Sequence, residues 1–173
     1  MADMNFNTAE GSTVERRLLI LYLNTGTAET PVWSVIGKRV EDSSMEYDWG
    51  EETKRDILGI VRTTLKKPTI TQTFEPCELD AADKAQVKIW NQSIRDQDVE
   101  AMVNNDLLVV HAYTGTAEDG AFAERYLSST VRPTGLGGSS NIGMPIDVTF
   151  GGERSTGTAK VADGALTFTQ DAA

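Results

Sequence analysis

The chain has one cysteine, one histidine and no apolar run of membrane-spanning length among its 173 residues. A single thiol, Cys77, rules out an intramolecular disulfide and any zinc cluster built on cysteines. It sits between Pro76 and Glu78, and an acidic neighbour raises a thiol pKa, so it reads as structural rather than nucleophilic. The lone His111 lies inside an apolar stretch, where a hydrogen-bonded structural histidine is the expected role. No Ser-His-Asp or Cys-His pattern has supporting spacing. Basic residues are scarce too: 16 against 26 acidic ones leave a net charge of −10, which repels a phosphate backbone and argues against ordinary nucleic-acid binding. Gly135 to Gly138 reads GLGG without the residues that complete a nucleotide loop, and Asp48, Glu51, Glu52 and Asp56 lack calcium-loop spacing. No cofactor or metal is expected. Carboxylates are numerous enough for a pair to converge in space, which spacing alone does not exclude. The first residues lack a basic start and an apolar core, so a soluble protein without a leader is expected.

What the chain does have is alternation at strand period over residues 41–74. Met45, Tyr47 and Trp49 fall on one face, with Ser44, Glu46 and Asp48 on the other. A charged GEETKRD stretch follows and is expected to form the tip. Residues 57–62 then return as a strand, and Thr69, Thr71 and Thr73 face away from Ile70, Gln72 and Phe74. This is a long projecting β-hairpin. Such a ribbon is marginal in isolation and must lie against its own core or a neighbouring copy.

The length suits a single domain spanning 1–173. Residues 1–13 are small, polar and unpatterned, an extended N-terminal arm or a frayed tail. Residues 17–23 (RLLILYL) predict a central strand with both faces covered, followed by a turn over 24–31 and a strand near 32–40. One flanking α-helix is expected over 80–95, N-capped by Asp80, with Ala82, Ala85, Ile89 and Trp90 as its apolar stripe. Its other face carries Lys84, Lys88, Asn91 and Arg95, either a solvated surface or one that meets acidic groups of another subunit. A short helix over 98–103, strands over 107–113 and 122–132, a flexible glycine-rich loop over 133–143 and a closing meander complete the pattern, with Asp163-Gly164 as a two-residue hairpin turn. LLILYLNTGTAE from Leu18 and LLVVHAYTGTAE from Leu107 resemble each other, and a third TGTA begins at Thr156. This is either a trace of two related half-sheets or convergence on an easy turn. The fold class is mainly β, a β-sandwich or barrel.

The order of YDWGEETKRDILG, KKPT running into QTFEP, the Asp-Ala-Ala-Asp helix start, GLGG, NIGMPIDVTFGG and TGTAKVADGALTFT resembles the major tail tube protein of long-tailed (siphovirus-like) bacteriophages. The resemblance spans nearly the whole chain beyond the arm. It implies a non-enzymatic virion protein, assembled in the host cytoplasm, whose homo-hexameric rings stack into a tail tube. By the same resemblance, partners include a tape measure protein, a tail terminator and distal tail proteins, and genomic DNA passes through without specific binding. An acidic wall within a Debye length of about 8 Å would repel that DNA. In this reading Met45, Tyr47, Trp49, Ile57 and Ile60 pack on an adjacent subunit, while Glu51, Glu52, Lys54, Arg55 and Asp56 make polar contacts at the hairpin tip. Lys84, Lys88 and Arg95 form a further inter-subunit face. The alternatives are the tube of a contractile injection system, a monomeric β-sandwich binding module such as an adhesin or carbohydrate-binding domain, and a small β-barrel enzyme.

Overall fold

The computed structural model describes residues 6–172. Apolar alternation places β1 (Leu19–Asn24) beside β2 (Trp33–Ile36), and the hairpin region supplies β3 (Met45–Asp48), β4 (Glu52–Arg55), β5 (Val61–Thr64) and β6 (Thr69–Phe74). Helices α1 (Lys84–Trp90) and α2 (Val99–Val103) precede β7 (Asn105–His111) and β8 (Ala121–Pro133). The chain closes with β9 (Ile146–Phe150), β10 (Arg154–Ala162) and β11 (Ala165–Gln170). The fold is mainly β, as expected. In place of two separate sheets, one nine-stranded antiparallel sheet runs β2-β1-β7-β8-β9-β6-β3, with β10 and β11 branching from β8 and the whole curled into a half-barrel.

The curl is made by β8. Its first half pairs with both β7 and β10, and its second half, from Thr130, pairs with β9. Between them Ser128 adopts a positive φ of 57°, and Gly152 on the next turn sits at φ 67°, where a Cβ would strike the Leu127 carbonyl. Such a bulge bends a strand and increases its twist, letting one strand serve both arms of the curl. The concave side holds the main core, including Leu23, Leu107, Val109, Val131, Ile146 and Val148, all nearly solvent-free. A smaller cluster on the opposite face, Leu108, Val110, Ala121, Ala123 and Ala159, is covered by Tyr22, Trp33, Leu166 and Phe168.

Helix α1 closes the core with Ala85 and Ile89. It starts one turn later than Asp80 suggests. Asp80 and Asp83 form a turn in which the Asp83 N–H donates to the Asp80 carbonyl, and it is Asp83 that accepts from the Ala85 and Gln86 N–H groups. Ala82 therefore lies outside the helix and is exposed, and the buried polar Gln86 takes a place on the inner face. After Trp90 the helix continues as a wider π turn to Arg95. The two repeat segments are antiparallel neighbours in the sheet, Leu21 opposite Val109, so they are not stacked half-sheets, and the third TGTA lies within β10. Residues 1–5 of the expected arm lie outside the described residues. Phe6 packs edge-on against Tyr113, and the Asn7 N–H donates to the Tyr113 carbonyl at 2.8 Å.

Candidate assembly interface

Residues 45–74 form one long hairpin with two distinct parts. At its base β3 pairs with β6 inside the main sheet, Met45 opposite Gln72 and Asp48 opposite Thr69. Farther out, β4 and β5 pair only with each other, Glu52 opposite Thr64 and Arg55 opposite Val61, as a separate two-stranded ribbon. A Lys66 N–H to Trp49 carbonyl bond of 2.9 Å joins the parts. None of residues 49–66 belongs to either core cluster.

The tip differs from expectation. Glu52 to Arg55, taken as part of the turn, are strand β4, and the reversal comes at Asp56 to Ile60. Asp56 Oδ1 accepts from the Leu58 and Ile60 N–H groups, both at 2.9 Å, and Gly59 supplies a φ of 82°. An aspartate that fastens its own turn, followed by a left-handed glycine, is the signal that places the reversal here. The end of the ribbon is consequently apolar: Ile57 is fully exposed and Leu58 is 79% exposed, with Ile60 and Val61 also open, and Leu65 is exposed at the ribbon's other end.

The predicted interface residues therefore separate into three groups. Met45 packs against this chain's own core, because it shares the concave face with Ile70 and Phe74; its assignment to a neighbour is corrected. Tyr47 and Trp49 stack on one another, centroids 6.1 Å apart, and remain about half exposed. Ile57 and Ile60 cap the far end, with exposed Glu51, Glu52, Lys54 and Arg55 along the shank and Asp56 tied into the turn. Leu58 and Val61 belong to the same apolar tip and were missed, because the reversal was set too early; Leu65, exposed near the ribbon's base, was missed too. On the helix the basic face is largely committed within the chain. Lys88 Nζ donates to the Asn24 carbonyl at 2.6 Å, Arg95 forms a two-pronged pair with Asp96, and Lys84 is exposed. Burial lowers the Lys88 pKa, partly countered by Asp106.

A cluster of buried ionisable groups lies on the concave side, where β7, β8 and β10 meet. Glu124 accepts from His111 Nε2 at 2.8 Å, from Arg154 Nε at 2.6 Å and from the Tyr126 hydroxyl at 3.1 Å. His111 Nε2 therefore carries a proton toward the carboxylate, and Nδ1 is hydrogen-bonded with the Tyr113 hydroxyl at 2.7 Å. Burial pushes the Glu124 pKa up, but the hydrogen bonds from His111 and Arg154, with the Arg154 charge, outweigh it and hold the carboxyl below its ordinary value. Burial, then the Glu124 charge, raises both Tyr113 and Tyr126. Every member is satisfied by another, which is the pattern of a structural network. Cys77 is buried, and its thiol is pushed up first by burial, with the Gln86 amide bond acting the other way and Asp83 adding a smaller upward push. Among the described residues no group of three or more His, Cys, Asp or Glu side chains is placed to hold a metal ion, and no helix is long and apolar enough to cross a membrane.

No protein-family model and no curated protein matches the chain. Three solved structures overlay on most of it. The sheath-tube complex of the PVC extracellular contractile injection system in its extended state aligns at TM-score 0.49 and 12% identity, over 86% of this chain and 94% of that one. The sheath/tube terminator of the same system gives 0.46 and 13%, over 86% and 99%. The tube-terminating cap of the anti-feeding prophage gives 0.46 and 16%, over 88% and 96%. At these scores and identities the likenesses are distant, and the functional reading below rests on the chain itself.

Proposed function

We propose that this chain is a structural, non-enzymatic subunit of a phage-type tail tube, with or without a surrounding sheath, assembled as stacked hexameric rings in the host cytoplasm and forming the conduit for DNA in the virion. One observation carries the reading: the β4–β5 ribbon leaves its own body and ends in an uncovered apolar tip. A two-stranded sheet without a core is marginal alone, and large exposed apolar side chains gathered at one point mark an association surface. A second copy of the chain supplies the missing cover at a cost in symmetry no greater than ring closure, and obligate contacts of this kind bury on the order of 2,000 Å² or more. The net charge of −10 suits a wall that DNA passes without adhering. By resemblance the tube ends meet a tape measure protein, a terminator and distal tail proteins.

Negative-stain microscopy of the purified protein across a concentration series tests the reading directly. Hollow rods or rings are expected, and Trp49→Ala is expected to give a folded protein that no longer forms them. A monomer at every concentration, or normal tubes from Trp49→Ala, would sink respectively the assembly reading and the role of Trp49.

A further inference from the structure

The tip of the ribbon combines three properties. It is apolar: Ile57, Leu58, Ile60 and Val61 are each at least half exposed, Ile57 completely. Most of its backbone donors are already satisfied. Asp56 N–H donates to the Ile60 carbonyl and Gly59 N–H to the Asp56 carbonyl, both at 3.0 Å, and Leu58 and Ile60 donate to Asp56 Oδ1. Asp56, the one carboxylate between residues 55 and 62, is thereby held against the turn. Two arginines stand just below. Arg55 lies opposite Val61 and Arg62 opposite Lys54, so the pleat sets Arg55 and Arg62 on opposite faces of the ribbon. Among the described residues neither arginine has a carboxylate within 4.0 Å, whereas Lys54 is paired with Glu52 at 3.5 Å.

Each property suits a boundary that is apolar within and anionic at its surface. Large apolar side chains gain by leaving water, and backbone groups that enter hydrocarbon must be bonded internally. An arginine beneath them lays its stem along the apolar layer and keeps its guanidinium among phosphates. The dimensions agree: Ile57 and Leu58 stand two and three positions beyond Arg55, roughly 7–10 Å at strand rise, and interfacial segments bury their apolar groups about 5–10 Å deep. Charge then sets the orientation. From Glu51 to Lys67 the ribbon carries five basic and three acidic side chains on a chain of net charge −10. An anionic surface therefore attracts the ribbon and repels the body, which brings the molecule in tip first. Nucleic acid shares the negative charge but offers no apolar layer to Ile57 and Leu58.

We propose that the ribbon tip enters the headgroup layer of a lipid bilayer containing anionic lipids, with Arg55 and Arg62 as the belt that holds it at that depth. The inference goes beyond the assembly reading and is separable from it. A free subunit displays its tip, and in a head-to-tail stack the copies at one end have no neighbour to cover theirs.

Flotation of the full chain with vesicles, below its assembly concentration, tests this. The vesicles are phosphatidylcholine alone or with about 30% phosphatidylglycerol, at about 0.05 and about 0.5 M salt. At low salt, wild type should bind the anionic vesicles at least about tenfold more tightly than the neutral ones, since each cation at such a surface contributes about fivefold. High salt should remove that preference. Ile57→Ser with Leu58→Ser should weaken binding to the anionic vesicles at least about tenfold. Arg55→Gln with Arg62→Gln should lose about tenfold on anionic vesicles and nothing on neutral ones. Both variants should keep the wild-type melting temperature, because the tip touches neither core cluster. Leu58→Trp should gain a blue-shifted emission on anionic vesicles that wild type lacks, which a ribbon merely adsorbed on the headgroups would not show. Wild type that does not float, flotation that survives the Ile57 and Leu58 changes, or an unshifted Leu58→Trp emission overturns the proposal. Tubes at higher concentration from a chain that never binds vesicles would leave the tube reading standing and this one fallen. A monomer that floats through its tip and never assembles would do the reverse. Retardation of duplex DNA through Arg55 and Arg62, without vesicle binding, overturns the proposal in favour of nucleic acid.

Discussion

At the scale of single residues, the polar network around Glu124 defines what the concave face tolerates. The Glu124 side chain is nearly buried and is the shared acceptor for His111, Tyr126 and Arg154. Glu124→Gln keeps the shape but removes the charge and one acceptor, so a loss of about 2–3 kcal/mol near neutral pH is expected in urea unfolding. The pH dependence has a definite sign. The folded carboxyl titrates below its ordinary value of 4.5, so its contribution is fully present above that value and fades as pH falls through the lower folded value. Wild type and Glu124→Gln should therefore converge in stability only once the pH has fallen below the lowered value of the folded carboxyl. Parallel stability curves down to acid would show that the network adds nothing through charge. Cys77 offers a second check: buried and raised in pKa, it should react with a thiol reagent only when the protein unfolds. That His111 is a hydrogen-bonded strand residue was legible from its apolar neighbours. Its partner Glu124 was not, since a cross-strand partner depends on register and a shift of one residue turns every side chain to the other face.

At the scale of elements, strands whose faces are decided by burial were readable, and points where the chain changes direction were not. Alternation in 70–74 and 146–150 located β6 and β9, and Asp163-Gly164 gave the β10–β11 turn, with φ values of 51° and 77°. Pairing between β6 and β9 joins residues as far apart as Ile70 and Phe150, about which local pattern is silent. The curl at Ser128 and Gly152 left only a weak trace, a glycine pair after an apolar run. Gly152→Ala should lower the melting temperature clearly, by about 2 kcal/mol or more in stability, because a left-handed backbone and the Leu127 carbonyl both oppose a Cβ. The ribbon turn should behave differently. Asp56→Ala removes the acceptor that fastens residues 58 and 60, but no core depends on it. Global stability should change by less than about 0.5 kcal/mol, while amide exchange at Leu58 and Ile60 accelerates and assembly weakens. A large global loss would mean that the ribbon packs on the body after all.

At the scale of the whole molecule, the body and the ribbon answer to different physics. The body buries two apolar clusters on the two faces of a curled sheet and holds its helix by a buried cap, which is sufficient for a fold that stands alone. The ribbon buries almost nothing, yet it carries the two most exposed large apolar side chains, Ile57 and Leu58, and a positively biased stretch of the acidic chain. Replacing residues 51–65 with a two-residue Asn-Gly turn isolates the two contributions, since Gly50 and Lys66 already stand beside one another: a Cβ at Gly50 would meet the Lys66 side chain at 3.5 Å. The shortened chain should keep its melting temperature within a few degrees, because the removed residues touch neither core cluster. It should remain monomeric at concentrations where the full chain assembles, and size-exclusion chromatography with light scattering reads both properties from one sample. Rods from the shortened chain would mean that the free edges of β2, β3 and β11, rather than the ribbon, bring copies together. Collapse of the shortened chain would mean that the body was never independent of the ribbon. Only a stable monomer agrees with a fold complete in its core and incomplete at the ribbon.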